Sequence, residues 1–379
     1  MIYFDNSATT KPYKEVLETF VKVNERFFGN PSSLHQHGMQ AERLILESRK
    51  QLADQLNVKP DEIVFTSGGT ESNNLAIKGA ALYYKNRGKH ILAASSEHPS
   101  VINACKQLEG LGYRVDYLPV DAKGRVSVQD IKTALTDETI LVTVMHVNNE
   151  VGTIQPIKEI GQLLKKYPKV LFHVDDVQGR GKVPLDLKEC HVDLCSISAH
   201  KFHGLKGTGL LYKKSGVEIS PLLSGGNQES NLRSGTENTG GIAAMAKALR
   251  ISEERRIHSI DEMKEIQQYL RSNLTNQGNV VHTPDTDCAP HILNFSVPGV
   301  KGEVLVHALE ERDIYVSTTS ACSSKQNKPS TVLMAMGISL EEASSSIRLS
   351  LTYENTIDEA QMFIHHIKEV VPKITKVQR

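Results

Sequence analysis

The segment SISAHKFHGLKG, Ser196–Gly207, places Lys201 directly after a short apolar run. Lysine is rarely buried without a partner or a function. Burial disfavours the charged ammonium, lowers the pKa of the amine and makes it nucleophilic enough to form a Schiff base with an aldehyde. For an isolated feature of this kind a surface lysine at the start of a loop is the commoner arrangement. The neighbouring segments of the sequence therefore decide whether Lys201 is a buried lysine that forms a Schiff base or a surface lysine.

Strand-like and helix-like patterns alternate on both sides of Lys201. The strand-like runs are DEIVFT, KHILAAS, ETILVTVMHV, KVLFHVD and HVDLCSIS. Helical spacing of apolar residues follows the first three, in ESNNLAIKGAALYYK, EHPSVINACKQLEG and PIKEIGQLLKKYP. This alternation predicts βαβ units around a mostly parallel sheet. The strand-like runs are almost continuously apolar, as expected when helices cover both faces of the sheet.

The character of the chain changes near Ser252. A long amphipathic helix, SEERRIHSIDEMKEIQQYLRSNLTNQG, is followed by the strand-like runs HILNFSVPG, IYVST and SIRLSL and by further helices. We predict a large domain over residues 15–252 and a smaller α+β domain over residues 253–379. The N-terminal segment, residues 1–14, is expected to pack with the small domain.

Composition excludes several classes of function. The 379 residues carry 44 basic and 44 acidic side chains, so no overall charge draws the chain to nucleic acid or to an anionic membrane. No apolar run approaches the length of a membrane span, and the N-terminus lacks the features of a secretory signal. The five cysteines form no CxxC pair. We expect a cytoplasmic protein with free thiols, no metal site and no direct contact with nucleic acid or membrane.

The turn after the first strand-like run has the composition of a phosphate site. In open α/β sheets, ligands bind beyond the carboxyl ends of the strands. The segment TSGGTESNN, Thr66–Asn74, places Gly68 and Gly69 there, and two glycines allow a tight turn with close backbone approach. Thr70 is expected to cap the following helix, whose free N–H groups favour an anion. The alternative is an ordinary capped turn between strand and helix.

Polar residues follow three other strand-like runs. Asp175 and Gln178 lie in HVDDVQG, where the acid is either a helix cap or the partner of a buried cation such as a protonated ring nitrogen. His98 precedes Pro99, and a structural histidine is the simpler interpretation of it. Asn149 belongs to a loop in which two asparagines are typical of turn chemistry alone.

The combination favours one kind of cofactor. A phosphate turn, an acid placed for a ring nitrogen, a lysine able to form a Schiff base and a histidine are the groups that a protein supplies to pyridoxal phosphate. Each follows a predicted strand. We therefore predict pyridoxal 5'-phosphate bound as a Schiff base to Lys201.

The sequence resembles the cysteine desulfurases of the NifS/IscS type, in the class V aminotransferase family of fold-type I pyridoxal phosphate enzymes. The resemblance rests on YFDNSATT, FGNPSS, FTSGGTESNN, SSEHPSV, MHVNNEVG, FHVDDVQ, SAHKFHG, RSGTEN, SACSS and SIRLSL, which occur in family order from Tyr3 to Leu351. It implies an α/β fold whose large domain has a mostly parallel sheet of the seven-stranded type, plus a smaller α+β C-terminal domain.

The resemblance also implies roles for the predicted residues. Lys201 is similar to the lysine that carries the cofactor, and Asp175 to the acid that pairs with the pyridine nitrogen. Gln178 resembles the partner of the phenolic oxygen, and His98 the histidine that stacks on the ring and takes part in proton transfer. Asn149 resembles a residue near the cofactor oxygen and the substrate carboxylate.

The implied phosphate contacts come from both subunits of a homodimer. Within one chain they are Gly69, Thr70, Ser198 and His200. Thr236, in RSGTEN, is similar to a phosphate contact that the other subunit donates.

Two residues in the C-terminal part are expected to act on the substrate. In SIRLSL the period of two places Arg348 on the face opposite to the apolar residues, where a guanidinium can bind a carboxylate in a bidentate manner. Without the other motifs, a solvated arginine is the simpler interpretation. Cys322 lies in STTSACSSKQNKPST, whose small and polar residues are typical of a mobile, exposed loop. The family's nucleophile occupies this position.

The implied activity is that of a sulfurtransferase. L-cysteine loses its sulfur to Cys322, which gives L-alanine and a persulfide that passes to an acceptor protein. The alternatives are a selenocysteine lyase, another fold-type I enzyme such as an aminotransferase, and a non-catalytic sulfur-carrier module. Asp176 stands where the family usually has a small residue. The chain ends at VVPKITKVQR, without the tail with which housekeeping relatives hold an iron–sulfur scaffold. We therefore expect a dedicated acceptor such as a tRNA-thiolating enzyme over such a scaffold.

Overall fold

The computed structural model describes residues 1–318 and 329–377. Its strands are β1 Ile2–Tyr3, β2 Ile63–Thr66, β3 His90–Ala94, β4 Arg114–Leu118, β5 Thr139–Thr143, β6 Leu171–Asp175, β7 Leu194–Ser198, β8 Gly209–Lys213, β9 Val280–Val281, β10 Ile292–Ser296, β11 Ile314–Tyr315 and β12 Ser346–Ser350. Its helices are α1 Lys14–Arg26, α2 Gln36–Leu56, α3 Gly69–Tyr83, α4 Pro99–Glu109, α5 Val128–Ala134, α6 Ile157–Leu164, α7 Thr239–Asn276, α8 Gly302–Glu310, α9 Thr331–Ala335, α10 Leu340–Ser344 and α11 Ile357–Val377.

Seven strands form the central sheet in the order β2-β8-β7-β6-β5-β3-β4. Strand β8 is antiparallel to both of its neighbours, and the remaining pairs are parallel. The predicted α/β fold with a mostly parallel sheet is confirmed. Successive side chains of a strand point to opposite faces of the sheet. Leu171 packs in the apolar cluster on one face, and Phe172 packs in the cluster on the other. Both faces are covered, which accounts for the continuous apolar runs.

A second core lies around the antiparallel sheet β12-β10-β9. It includes Phe295 and Ile347 from that sheet, Phe363 from α11, and Ile2 and Phe4 from the N-terminus. Strand β1 pairs with β11, so the first residues of the chain lie among its last elements.

The long helix α7 joins the two cores. Its first part contributes Met245 and Leu249 to the core beside the central sheet, and its second part contributes Leu270 and Leu274 to the C-terminal core. The helix passes without interruption through residue 252. The division there into two domains therefore remains a prediction, because no loop marks it.

The topology brings the predicted site residues to one edge of the sheet. Strands β2, β3, β5, β6 and β7 run in the same direction, so their carboxyl ends lie together. The segments that follow them are residues 67–70, 95–98, 144–149, 176–178 and 199–201, which contain most of the predicted side chains. Within the described residues, no helix combines the length and the apolar character that crossing a bilayer requires.

Candidate active site

A cavity of about 200 Å³ lies at this edge of the sheet. Residues from five strand ends, from the N-terminal segment and from β12 line it. The predicted residues among them are Gly69, Thr70, His98, Asn149, Asp175, Gln178, Ser198, His200, Lys201 and Arg348. The structure therefore brings together ten predicted residues, of which Gly69 is the first in the sequence and Arg348 the last.

Lys201 reaches the cavity from a single 3₁₀ turn. Strand β7 ends at Ser198, and the turn Ala199–Lys201 follows it at once. The half-buried lysine donates from Nζ to the carbonyls of Ser7, at 2.5 Å, and Ala8, at 2.8 Å. The N-terminal segment thus closes one side of the cavity and positions the amine.

Asp175 is the last residue of β6 and is buried. Its Oδ2 accepts from Asn73 Nδ2 at 2.7 Å, and its Oδ1 accepts from the Val177 amide at 3.0 Å. Burial raises the pKa of this carboxyl to about 6. The chain after Asp175 forms turns rather than a helix, so the acid is not a helix cap. A cation in the cavity would restore its ionised form.

We expect Asp175→Asn to stabilise the cofactor-free protein at pH 7.5. The folded carboxyl binds a proton up to about pH 6 and the unfolded one only to about pH 4, so unfolding free energy falls as pH rises through that window. A difference of two pKa units corresponds to about 3 kcal/mol of unfolding free energy. The asparagine variant does not lose this free energy as pH rises, because its side chain does not titrate. Asn73 can flip its amide to suit the new side chain, because its Oδ1 has no partner among the described residues.

Urea unfolding of the two cofactor-free proteins at pH 7.5 and pH 4 measures this effect. The gain should be present at pH 7.5 and absent at pH 4. A variant that is less stable than the parent at pH 7.5 contradicts the account of Asp175.

His98 caps helix α4 and is held neutral. Its Nδ1 accepts from the Ser100 amide at 3.1 Å and lies 2.8 Å from Ser100 Oγ. Pro99 is the first helical residue. Burial, assisted by the nearby Lys201, lowers the pKa of His98 to about 4. Because Nδ1 accepts from an amide, the proton of the neutral ring is on Nε2.

The proposed phosphate side of the cavity is formed by the start of α3 and by the segment after β7. Gly68 has a φ of 145°, and a side chain on Gly69 would lie 2.7 Å from Val177 Cγ2. Both positions therefore require glycine. Burial lowers the pKa of His200 to about 3, and its Nδ1 lies 3.1 Å from Thr9 Oγ1.

The expectation that Thr70 caps α3 is wrong. The cap is Gly68, and no side chain caps this helix end. The Ser72 amide donates to the Gly68 carbonyl at 3.0 Å, so the amides of Gly69, Thr70 and Glu71 precede the first helical hydrogen bond. Since no side chain caps this helix end, its amides are available to an anion.

Arg348 is only 1% exposed, in contrast to the solvated arginine that the isolated motif suggests. Its neighbours Ile347 and Leu349 pack in the C-terminal core on the other face of β12. Its Nη1 donates to the Asn149 carbonyl at 2.9 Å, and its Nη2 donates to Asp5 Oδ1 at 2.9 Å. The guanidinium is thus held rigidly at the wall of the cavity.

One predicted residue among those described does not line this cavity. Thr236 is exposed and lines a separate cavity with Phe65, Gly207 and Arg233. Cys322 lies outside the described residues.

Sequence reasoning missed several groups that complete the site. Ser7 and Ala8 hold Lys201, Asn73 holds Asp175, and Asp5 holds Arg348. Glu97 is buried directly before His98, and its Oε1 accepts from the Met145 amide at 2.5 Å. Burial and the neighbouring Asp175 raise its pKa well above the usual range. Asn73 and Glu97 stand inside motifs already singled out, but no spacing rule links them to their partners.

The residues of the cavity fit pyridoxal phosphate. The buried Gln178 donates from Nε2 to the Ser7 carbonyl at 3.0 Å, while its Oε1 has no partner among the described residues. Buried polar atoms are normally paired, so Oε1 is suited to a polar group of a ligand. Asp175 can pair with the ring nitrogen, the amides at the start of α3 can bind the phosphate, and Lys201 can bond to the aldehyde.

This fold and this set of groups define the fold-type I class of pyridoxal phosphate-dependent enzymes. The family model described as Aminotransferase class-V matches residues 2–363, and the chain belongs to that family.

Several similar proteins carry the names NifS-like protein or cysteine desulfurase. A NifS/IcsS protein homolog of Lactobacillus delbrueckii subsp. bulgaricus is 50% identical over 100% of this chain and 99% of the relative. The putative cysteine desulfurase IscS 1 of Bacillus subtilis is 43% identical over 99% of both chains. A solved NifS-like protein has a TM-score of 0.93 and 39% identity over 98% of this chain and 99% of its own. A solved SspA in complex with cysteine has a TM-score of 0.81 and 35% identity over 93% and 99%.

Proposed function

We propose that this protein is a cysteine desulfurase, which converts L-cysteine to L-alanine and places the sulfur on Cys322 as a persulfide. The observation that carries the proposal is the convergence of ten predicted residues on one cavity. Relatives named as cysteine desulfurases cover the full chain, and the similar SspA structure contains cysteine.

The described residues on both sides of the segment that contains Cys322 contact residues next to the cavity. Before the segment, Ser317 exchanges backbone hydrogen bonds with Arg348. After it, Ser330 Oγ donates to Glu150, the neighbour of Asn149. These contacts support the proposal that Cys322 acts on a substrate bound in the cavity.

The side chains provide the remaining chemistry. When bound, pyridoxal phosphate supplies an electron sink for the carbanion at the substrate Cα. Arg348 binds the substrate carboxylate, with Asn149 beside it. Lys201 Nζ removes the proton from the substrate Cα, and Asp175 keeps a proton on the ring nitrogen. The Cys322 thiolate attacks the substrate sulfur as the carbon–sulfur bond breaks. His98 donates its Nε2 proton in a hydrogen bond to the thiolate, since Nδ1 is occupied by Ser100.

We also propose a homodimer, in which Thr236 reaches the phosphate of the other subunit's cofactor. In the single chain Thr236 is exposed and lies away from the main cavity. Phe28, Leu34 and Met39, between and on helices α1 and α2, are 71%, 95% and 55% exposed. Large apolar side chains that are exposed to this degree over a short stretch of the chain support an interface there.

The sulfur acceptor is proposed to be a tRNA-thiolating enzyme or an iron–sulfur scaffold, because a persulfide must pass its outer sulfur to another thiol. We place the protein in the cytoplasm. The free Cys105, Cys190 and Cys195, all buried, support a reducing compartment.

The direct test is product analysis with L-cysteine and the purified protein loaded with pyridoxal phosphate. We expect alanine and, with a thiol reductant present, an equal amount of sulfide. Without reductant, mass spectrometry should find one extra sulfur on Cys322. A parallel reaction with selenocysteine tests the alternative of a selenocysteine lyase, which would form alanine faster from selenocysteine than from cysteine. Transfer of the amino group to a 2-oxoacid, without alanine formation from cysteine, would contradict the proposal.

A further inference from the structure

A buried cluster of charged side chains lies behind Asp175, outside the cavity. Asp176 is 0% exposed and points away from the cavity toward His146 and Arg180, which are also buried. His146 Nδ1 lies 2.7 Å from Asp176 Oδ1, as a hydrogen bond. Arg180 Nη2 lies 2.7 Å from Asp176 Oδ2, as an ion pair without hydrogen-bond alignment. None of the three side chains lines the cavity.

The local sequence makes room for this contact. A side chain on Gly179 would lie 2.2 Å from His146 Nδ1 and 2.3 Å from Asp176 Oδ1. Any residue larger than glycine would therefore separate the histidine from the acid. The segment DDVQGR thus combines the acid, the glycine and the arginine that the cluster needs.

The same residues connect three strand ends through the backbone. The His146 amide donates to the Asp175 carbonyl at 2.8 Å, and the Asp176 amide donates to the Ser196 carbonyl at 3.0 Å. His146 lies in the segment of residues 144–149 that follows β5 and carries Asn149. The His146–Asp176 hydrogen bond therefore fixes the segments after β5 and β6 to each other, and each carries a residue of the proposed active site.

We propose that His146, Asp176 and Arg180 are positioning residues, which hold the Asp175 carboxylate and the Asn149 segment in the arrangement that binds pyridoxal phosphate. The inference rests on the proposed function, because it takes Asp175 as the acid of the cofactor. Arg180 pairs with Asp176, so the buried carboxylate that accepts from His146 has an opposite charge beside it.

The test compares His146→Leu with His146→Asn. Asparagine Nδ2 can replace the Nδ1 donor of histidine, whereas leucine has none. Cofactor-free proteins are titrated with pyridoxal phosphate and followed by visible absorbance and circular dichroism. We expect the dissociation constant to rise at least tenfold for His146→Leu and to change less than threefold for His146→Asn. Equal affinities in the two variants would overturn the proposal.

A double variant separates positioning from charge balance. Asp176→Ala combined with Arg180→Leu removes both charges together, so that neither is left unpaired. We expect the melting temperature of this double variant to lie within a few degrees of the parent's. It should nevertheless bind pyridoxal phosphate at least tenfold more weakly, with an altered circular dichroism band. Parental affinity in this double variant would mean that the cluster has no positioning role. A parent protein that binds no pyridoxal phosphate would instead overturn the proposed function.

Discussion

Lys201→Ala should leave a folded protein that forms no covalent bond to pyridoxal phosphate and has lost desulfurase activity. Loss of the proton acceptor alone should lower kcat by about 10²- to 10⁴-fold. The cavity should persist, because Lys201 contributes one side chain to its wall and the other residues that line it are unchanged. Borohydride reduction followed by peptide mass spectrometry measures the covalent bond directly.

Lys182 provides a matched control for this prediction. It is also buried, and burial, together with the nearby Lys201, lowers its pKa to about 7, so its chemistry equally suits a Schiff base. However, its Nζ donates to the Lys201 carbonyl at 2.6 Å and it does not line the cavity. Lys182→Met should therefore retain the reducible adduct at residue 201. An adduct on Lys182 in the parent protein would refute the assignment of Lys201.

Cys322→Ser should abolish alanine and sulfide production and leave pyridoxal phosphate binding unchanged. A serine hydroxyl does not accept sulfur, and all ten cavity residues named above remain in place. We expect sulfide formation at the level of a reaction without enzyme. Labelled cysteine should leave no sulfur on the variant, while its visible absorbance should match that of the parent.

Cys288 is the matched control for Cys322, because it is partly exposed while Cys105, Cys190 and Cys195 are buried. Burial raises the pKa of the Cys288 thiol, so little of it is thiolate at neutral pH. Cys288→Ser should keep parental activity. If Cys288→Ser lost activity while Cys322→Ser kept parental activity, the nucleophile would be Cys288 and the assignment of Cys322 would be wrong.

Much of the site could be predicted because it follows strands. Residues that come directly after parallel strands meet at one edge of a sheet, so His98, Asp175 and Lys201 could be grouped from the sequence alone. The fold class could be predicted for the same reason, since alternation of apolar runs and helical spacing is a local pattern. The edge strand β4 and the antiparallel β8 are not among the predicted strands, because their place in the sheet depends on pairing with other strands.

The partners of these residues could not be predicted. Nothing in YFDNSATT indicates that Asp5 binds a guanidinium 343 positions away, and nothing in HVDDVQG indicates that Asp176 turns from the cavity to His146. The contrast between Lys201 and Lys182 is of the same kind. Lys182 is buried and Lys201 is half-buried, and the packing keeps the Lys182 amine out of the cavity.

The sequence by itself determined the alternating α/β architecture and the residue types at each strand end, because periodicity and turn composition act over a few residues. Tertiary structure alone decided that Asp176 turns away from the cavity, that Lys182 does not line it, and what holds Arg348. Those outcomes depend on contacts between segments that are distant in the chain, and the local pattern contains no information about them.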